Sequence, residues 1–208
     1  MASDITNVFL GQSAPCIWGA GLLFGVSHTL LAGHACRARA AAWGIGRTNY
    51  RLIYSLLATL FTGLWLWLTQ TLPDAPLYAF SCPACLPFYA LQATGLVIIL
   101  LSLRIFDAGI FLGLKAMPKG GEPFVEHGIY RYMRHPMYTG FMLLLLASPV
   151  HSVNSLHFCL AVSAYFIIGS YFEERRMLGR HPAYAEYRRR VPAFVPRMGL
   201  FRPPGTAQ

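Results

Sequence analysis

Charge is scarce in this chain of 208 residues. Only 12% of residues are charged and only eight are acidic, whereas a soluble domain carries roughly a quarter charged residues. Water therefore cannot be the solvent for most of the surface. Hydrophobic residues make up 55% of the chain and mean hydropathy is +0.46, which makes lipid the replacement. Other absences narrow the reading. No basic run precedes the first apolar segment, so a cleavable signal peptide is not expected and that segment should remain as an anchor. No strand pattern precedes Gly44-Ile45-Gly46, which leaves it weak as a phosphate loop. The net charge of +9 does not require nucleic acid, because membrane orientation and anionic headgroups account for it.

Five apolar segments follow one another at 15–33, 52–72, 86–103, 137–150 and 156–172. Segments of 18–20 such residues are long enough to cross a bilayer. The expected fold is all-α, a polytopic membrane helical bundle with five transmembrane helices in one integral membrane domain, residues 1–208. Residues 1–104 hold the three N-terminal spans, and 105–208 hold a loop, spans four and five and a basic tail. Span four is short, and only residues 148–155 separate it from span five, so the last two read as a tight helical hairpin. All seventeen Lys and Arg fall between spans one and two, between three and four, or after five. The opposite loops carry none, which puts the N-terminus outside and the C-terminus in the cytoplasm.

Several isolated features invite two readings. His28 and His34 lie six residues apart, about 120° around a helix, where one-face metal ligands prefer a spacing of three or four. The plain reading is a hydrogen bond inside the bundle for His28 and an interfacial place for His34, beside haem ligation or a part in a substrate pocket. Trp65 and Trp67 suit an interfacial aromatic belt. Cys82-Pro83-Ala84-Cys85 in the loop 71–87 suits a structural disulfide, a redox pair or a metal clamp. No His or second Cys pair lies in that loop to complete a zinc site. Span three is expected to continue past Arg104 to Asp107, with an i,i+3 ion pair between them, and Gly109 and Gly113 offer a small-residue stripe for the approach of a helix or of a ligand to the backbone.

The densest chemistry lies between 128 and 140. Pro136, lacking an amide proton, suits the first turn of span four. Arg134 and His135 then sit at a helix N-terminus, which favours an anionic group such as a cofactor carboxylate. Glu173 and Glu174 close span five. A hairpin brings the start of four beside the end of five, so acidic and basic clusters meet at the membrane edge. A structural ion network with Arg131, Arg134, Arg175 and Arg176 would satisfy the same charges.

These residues carry a resemblance. Gly128-x-Tyr130-x-x-x-Arg134-His135-Pro136-x-Tyr138-x-Gly140, then Glu173-Glu174, then Tyr184-x-x-Tyr187-Arg188-Arg189-Arg190-Val191-Pro192 resembles the isoprenylcysteine carboxyl methyltransferase and phospholipid methyltransferase superfamily. The N-terminal half, with Ser27-His28-Thr29 and Asn49-Tyr50-Arg51, is more similar to bacterial members. Those include methanethiol S-methyltransferases and membrane proteins associated with nitrite and nitric oxide reductases. The resemblance implies an enzyme of a bacterial inner membrane that uses S-adenosyl-L-methionine at the cytoplasmic face, with no metal. It implies Arg134 and Glu173 as catalytic residues. Gly128, Tyr130, His135, Pro136, Tyr138, Gly140, Glu174, Tyr184, Tyr187 and Arg190 would form the cofactor site.

The implied reaction moves a methyl group to a small or lipophilic acceptor, foremost a thiol, with a lipid amine or carboxylate as the alternative. A different class, a non-enzymatic or redox accessory protein, would use Cys82 and Cys85 or haem-binding histidines. Membrane lipids are the expected surroundings in every case, and nucleic acid is not an expected partner. A tag placed after Gln208 is expected to stay unreactive to an impermeant reagent on intact cells, and labelling there would refute the orientation.

Overall fold

The computed structural model of the chain describes residues 11, 13–105, 107–116 and 124–196. Lys119, Glu122, Arg197 and Arg202, all part of the charge pattern, lie outside the described residues. The elements are α1 (Ser13–Leu31), α2 (His34–Ala42), α3 (Arg47–Thr71), β1 (Pro76–Ala79), α4 (Leu86–Leu103) and α5 (Ala108–Leu112). A 3₁₀ turn (Gly128–Arg131), α6 (Pro136–Leu146), β2 (Val150–Ser152), α7 (Val153–Arg180) and α8 (Tyr184–Arg190) follow.

Among the described residues, four helices, α1, α3, α4 and α7, are long and apolar enough to cross a membrane. Their side chains face outward to a degree no soluble bundle tolerates: Leu22 and Leu23 are 70% and 71% exposed. This is an integral membrane helical bundle. The segment expected as span four differs. Helix α6 has 11 residues, a rise of about 16 Å against a hydrocarbon core of about 30 Å. It stops because Ala147 leaves helical geometry and Pro149 follows, which has no amide to donate. The backbone then extends into β2, which pairs antiparallel with β1: Tyr78 lies opposite His151 and Ala79 opposite Val150.

Helix α7 starts beside that small sheet and is fixed there by its own sequence. Ser152 and Ser155 form a reciprocal capping box. Asn154, 2% exposed, donates Nδ2–H to the carbonyls of Thr69, Leu72 and Pro73 at 3.1–3.3 Å, closing the C-terminal end of α3. From there to Glu174 the helix rises about 30 Å. The chain from Pro136 to Ser152 climbs alongside as a short helix followed by extended backbone.

Two contacts set how close the helices come. Gly95 of α4 and Gly140 of α6 lie back to back, and a Cβ on Gly95 would sit 2.6 Å from the Gly140 carbonyl oxygen. On the other side, Ile17, Trp65, Phe158, Cys159 and Ala161 form the buried core of α1, α3 and α7. Trp65 corrects the expectation of an aromatic belt. It is 3% exposed and donates Nε1–H to the Ile17 carbonyl at 2.9 Å, while Trp67 is exposed. Two residues of helix turn the side chain through about 200°, so only Trp67 faces lipid.

The region after α4 also differs from expectation. The helix ends at Leu103, so Arg104 and Asp107 share no helical face. Asp107 instead caps α5 through the amides of Gly109 and Ile110 and pairs with Lys115 at 3.0 Å. The Lys115 hydrogen bond holds the Asp107 carboxyl below its ordinary value. Gly113 closes α5 at φ +80°, a conformation glycine adopts freely, and it lets the α3 backbone come close, since a Cβ there would collide with the Leu52 amide nitrogen. Cys82 and Cys85 are disulfide-bonded, as both the structural and the redox reading of the pair expect.

The Gly95–Gly140 contact generates a test. Gly95→Val should lower the thermal midpoint in detergent by an amount equivalent to about 1–3 kcal/mol, and Gly63→Ala, which meets nothing within 4 Å, should leave it unchanged.

Candidate active site

The site grows from the beginning of α6. Pro136 is its first residue, and the two residues ahead of it are tied down by the tail. The Arg134 amide donates to the Pro192 carbonyl and the His135 amide to the Ala193 carbonyl, both at 2.9 Å. The Thr139 hydroxyl donates to the Phe194 carbonyl at 3.0 Å. The amides of Met137 and Tyr138 have no acceptor within α6. The tail residues 192–194 thus run along the first turn of α6 and fix the direction of the preceding side chains.

Those side chains converge on Glu174, 7% exposed. Arg134 donates Nε–H to Glu174 Oε1 at 2.8 Å and places Nη2 2.7 Å from the same oxygen. His135 Nε2–H donates to Oε1 at 3.0 Å. Arg188 Nε lies 3.0 Å from Oε2. The rest of the Arg134 guanidinium is also engaged, its Nη1–H reaching the carbonyls of Arg188 and Val191. A buried carboxylate is tolerated only when paired and hydrogen-bonded, and here four donor nitrogens from two segments supply the partners.

Glu173 is placed differently. Its side chain is 42% exposed. It accepts a hydrogen bond from the Tyr138 hydroxyl at 2.8 Å and lies 3.9 Å from His135 Nδ1. One helical step separates Glu173 from Glu174 and rotates the carboxylate about 100°, out of the ion cluster and toward aromatic rings. Tyr138 stacks on His135 with centroids 5.4 Å apart. On its other side it stacks on Phe166 at 4.8 Å and 9°. Phe166 is seven residues before Glu173, nearly in line on α7.

Helix α8 closes the site from below. Tyr184, Tyr187 and Val191 form a buried cluster against Phe124 and Met177, and the Tyr187 hydroxyl donates to the Tyr130 carbonyl at 2.6 Å. Burial pushes the phenols of Tyr130, Tyr184 and Tyr187 above their ordinary value. The charge of Glu173 adds to the shift at Tyr130, and that of Glu174 adds at Tyr184.

The residues expected in the site fall into groups. Arg134, His135, Pro136, Tyr138, Glu173 and Glu174 are together, with Tyr130, Tyr184 and Tyr187 packed beneath. Gly128, at φ +60°, opens the 3₁₀ turn that leads to Tyr130. Gly140 faces Gly95 of α4, and Arg190 pairs with Glu126 at 3.2 Å on the surface. Arg175 lies over the Tyr171 ring rather than against the glutamates. Sequence reasoning missed Arg188 as a Glu174 partner and Phe166 as the second ring. The seven-residue interval between Phe166 and Glu173 was the available signal for the latter. His34 is exposed at the start of α2, while His28 is half-buried against Tyr54.

The family described as NnrU protein matches residues 16–148, from α1 through α6. The chain belongs to the NnrU protein family. It is also similar to methanethiol S-methyltransferase 2 of Bradyrhizobium diazoefficiens, 29% identical over 187 residues that cover 85% of this chain and 70% of the relative. Methanethiol S-methyltransferase of Mycobacterium tuberculosis is 28% identical over 84% of this chain and 74% of its own length. Protein-S-isoprenylcysteine O-methyltransferase B of Arabidopsis thaliana is 33% identical over 78 residues, 35% of this chain and 39% of the relative. No solved structure matches the chain.

The cluster predicts a division of labour between adjacent glutamates. Glu174→Gln should lower the thermal midpoint by the equivalent of about 3 kcal/mol, since it strands two arginines, whereas Glu186→Gln, on the exposed face of α8, should not move it.

Proposed function

We propose that this chain is an integral membrane methyltransferase that moves a methyl group from S-adenosyl-L-methionine to a thiol. The observation that carries the reading is the convergence of Arg134-His135-Pro136, Glu173-Glu174 and the α8 tail on one joint. It is supported by methanethiol S-methyltransferases aligning over more than four fifths of the chain.

The residues suit the cofactor. Its sulfonium is a cation, and the half-exposed Glu173 carboxylate and the Tyr138–Phe166 ring pair offer a charge and π faces for one. Its carboxylate suits the first-turn amides of Met137 and Tyr138. When bound, the cofactor supplies a methyl group that leaves a sulfonium by in-line displacement, chemistry that needs no metal. The protein contributes alignment and the exclusion of water. Arg134 positions rather than reacts: its guanidinium is committed to Glu174 and to tail carbonyls, so it holds α6, α7 and α8 in register. His135 bridges the two glutamates, and Tyr138 orients Glu173.

In this reading the basic end is cytoplasmic and the β1–β2 end faces outside. Helix α6, the turn at 147–149 and strand β2 together make the fifth crossing beside α7. The compartment is a bacterial inner membrane.

Calorimetric titration of the detergent-solubilised protein with S-adenosylhomocysteine should show saturable binding, and labelled methyl transfer to methanethiol should be detectable. Glu173→Gln should reduce transfer about 100-fold or more without lowering the thermal midpoint. Unchanged turnover in that variant removes Glu173 from the site, and absence of binding to the wild type defeats the cofactor assignment.

A further inference from the structure

A second polar cluster lies within the bundle, on the α1 and α3 side of the proposed cofactor seat. The Tyr54 hydroxyl of α3 and His28 Nε2 of α1 are hydrogen-bonded, with ring centroids 4.5 Å apart. Phe24 stacks on His28 from the same helix at 5.3 Å. Tyr165 of α7 meets His28 edge-on at 6.0 Å. Gly25 leaves room for this approach, since a Cβ there would stand 3.3 Å from the Tyr165 ring.

A chain of ring contacts connects this cluster to the Glu173 side. Tyr165 and Phe166 are successive residues of α7, with ring centroids 5.8 Å apart, and Phe166 stacks on Tyr138. The Glu173 charge acts on both Tyr138 and Tyr165, and Tyr138 in turn interacts with Tyr54. A cleft of about 330 Å³, lined by Thr29, Gly33, Phe172, Arg175 and Arg176, opens between the ends of α1 and α7. Arg176, on its wall, acts electrostatically on His28, Tyr54 and Tyr165.

Thiol methylation needs a proton acceptor at the acceptor sulfur, and on the cofactor side the Glu173 carboxylate is taken up by the Tyr138 hydroxyl and, in this reading, by the sulfonium. His135 is bound to both glutamates, and Arg134 is permanently charged. Only the thiolate is strongly nucleophilic. Resting on the methyltransferase reading, we infer that Tyr54 and His28 form a proton relay for the acceptor thiol, which enters through the α1–α7 cleft. The acceptor S–H bond breaks and its proton passes to the Tyr54 oxygen, while the tyrosine's own proton moves to His28 Nε2. The acceptor sulfur forms its bond to the methyl carbon as the methyl–sulfonium bond breaks, and that electron pair stays on the departing sulfur. The positive charge of the donor ends on the imidazolium. This relay uses the His28 tautomer protonated at Nδ1. The charged or titratable groups around His28 are Tyr54, Tyr165 and Arg176.

The test compares two thiols of similar size, ethanethiol and the much more acidic 2,2,2-trifluoroethanethiol, in mildly alkaline buffer where the second is largely ionised. His28→Gln and Tyr54→Phe should each lower kcat/KM for ethanethiol about 100-fold. For trifluoroethanethiol the loss should be less than about three-fold, because an ionised acceptor bypasses the relay. S-adenosylhomocysteine affinity should stay within about two-fold of wild type in both variants. Equal losses with both thiols, no loss with ethanethiol, or loss of S-adenosylhomocysteine binding in both variants overturns the relay. A wild-type protein that binds S-adenosylhomocysteine but methylates neither thiol overturns the thiol acceptor and the relay with it. One that does not bind overturns the cofactor reading itself.

Discussion

Glu174 is a carboxylate withdrawn from water near the end of a long apolar helix, and its partners come from both sides of α7 in sequence. Arg134 and His135 reach it from the start of α6, and Arg188 from α8. An ion of this kind gives little net stability when complete but is costly when one partner is removed. That asymmetry makes it a register device. The tail lies along α6, with residues 192–194 accepting bonds from residues 134, 135 and 139, in the same arrangement that satisfies the carboxylate. Glu173, one residue earlier, turns instead toward Tyr138 and reaches the cluster only through His135 Nδ1 at 3.9 Å.

The opposite end of the bundle is joined without cations, and the Asp74 carboxylate accepts the Asn154 backbone amide at 3.0 Å. Asn154 donates to three carbonyls at the end of α3, and β2 pairs with β1. No Lys or Arg lies there. The two ends differ because the bilayer allows it: charged residues are retained on one side and excluded from segments that must be translocated. Between the ends, the Gly95–Gly140 contact permits close approach without a hydrophobic driving force, which lipid does not supply.

Much of this was legible in the chain. The scarcity of charge identified the solvent, and the apolar segments at 15–33, 52–72, 86–103 and 156–172 correspond to the four long helices. Pro136 began its helix as its chemistry requires, and the motif around it met Glu174. Local reasoning failed where neighbours in sequence were read as neighbours on one helix. Arg104 and Asp107 were separated by a break, and Trp65 turned inward while Trp67 did not. The length of α6 was hidden because hydropathy records apolar content, and residues 147–150 are nearly as apolar in the extended backbone as in a helix.

Composition and charge placement by themselves determined a membrane bundle with one basic end, since both follow from the cost of putting charge in hydrocarbon. Motif spacing singled out Arg134, His135, Glu173 and Glu174, which the fold brings together. Tertiary structure alone decided which glutamate is a strut and which faces the rings, because a single residue step rotates a helical side chain by about 100°. It alone decided that Arg134 is occupied, since its acceptors are carbonyls forty or more residues away. It also brought His28, Tyr54 and Tyr165 into contact. Those residues belong to three helices with no shared periodicity, and their meeting depends on how α1, α3 and α7 pack.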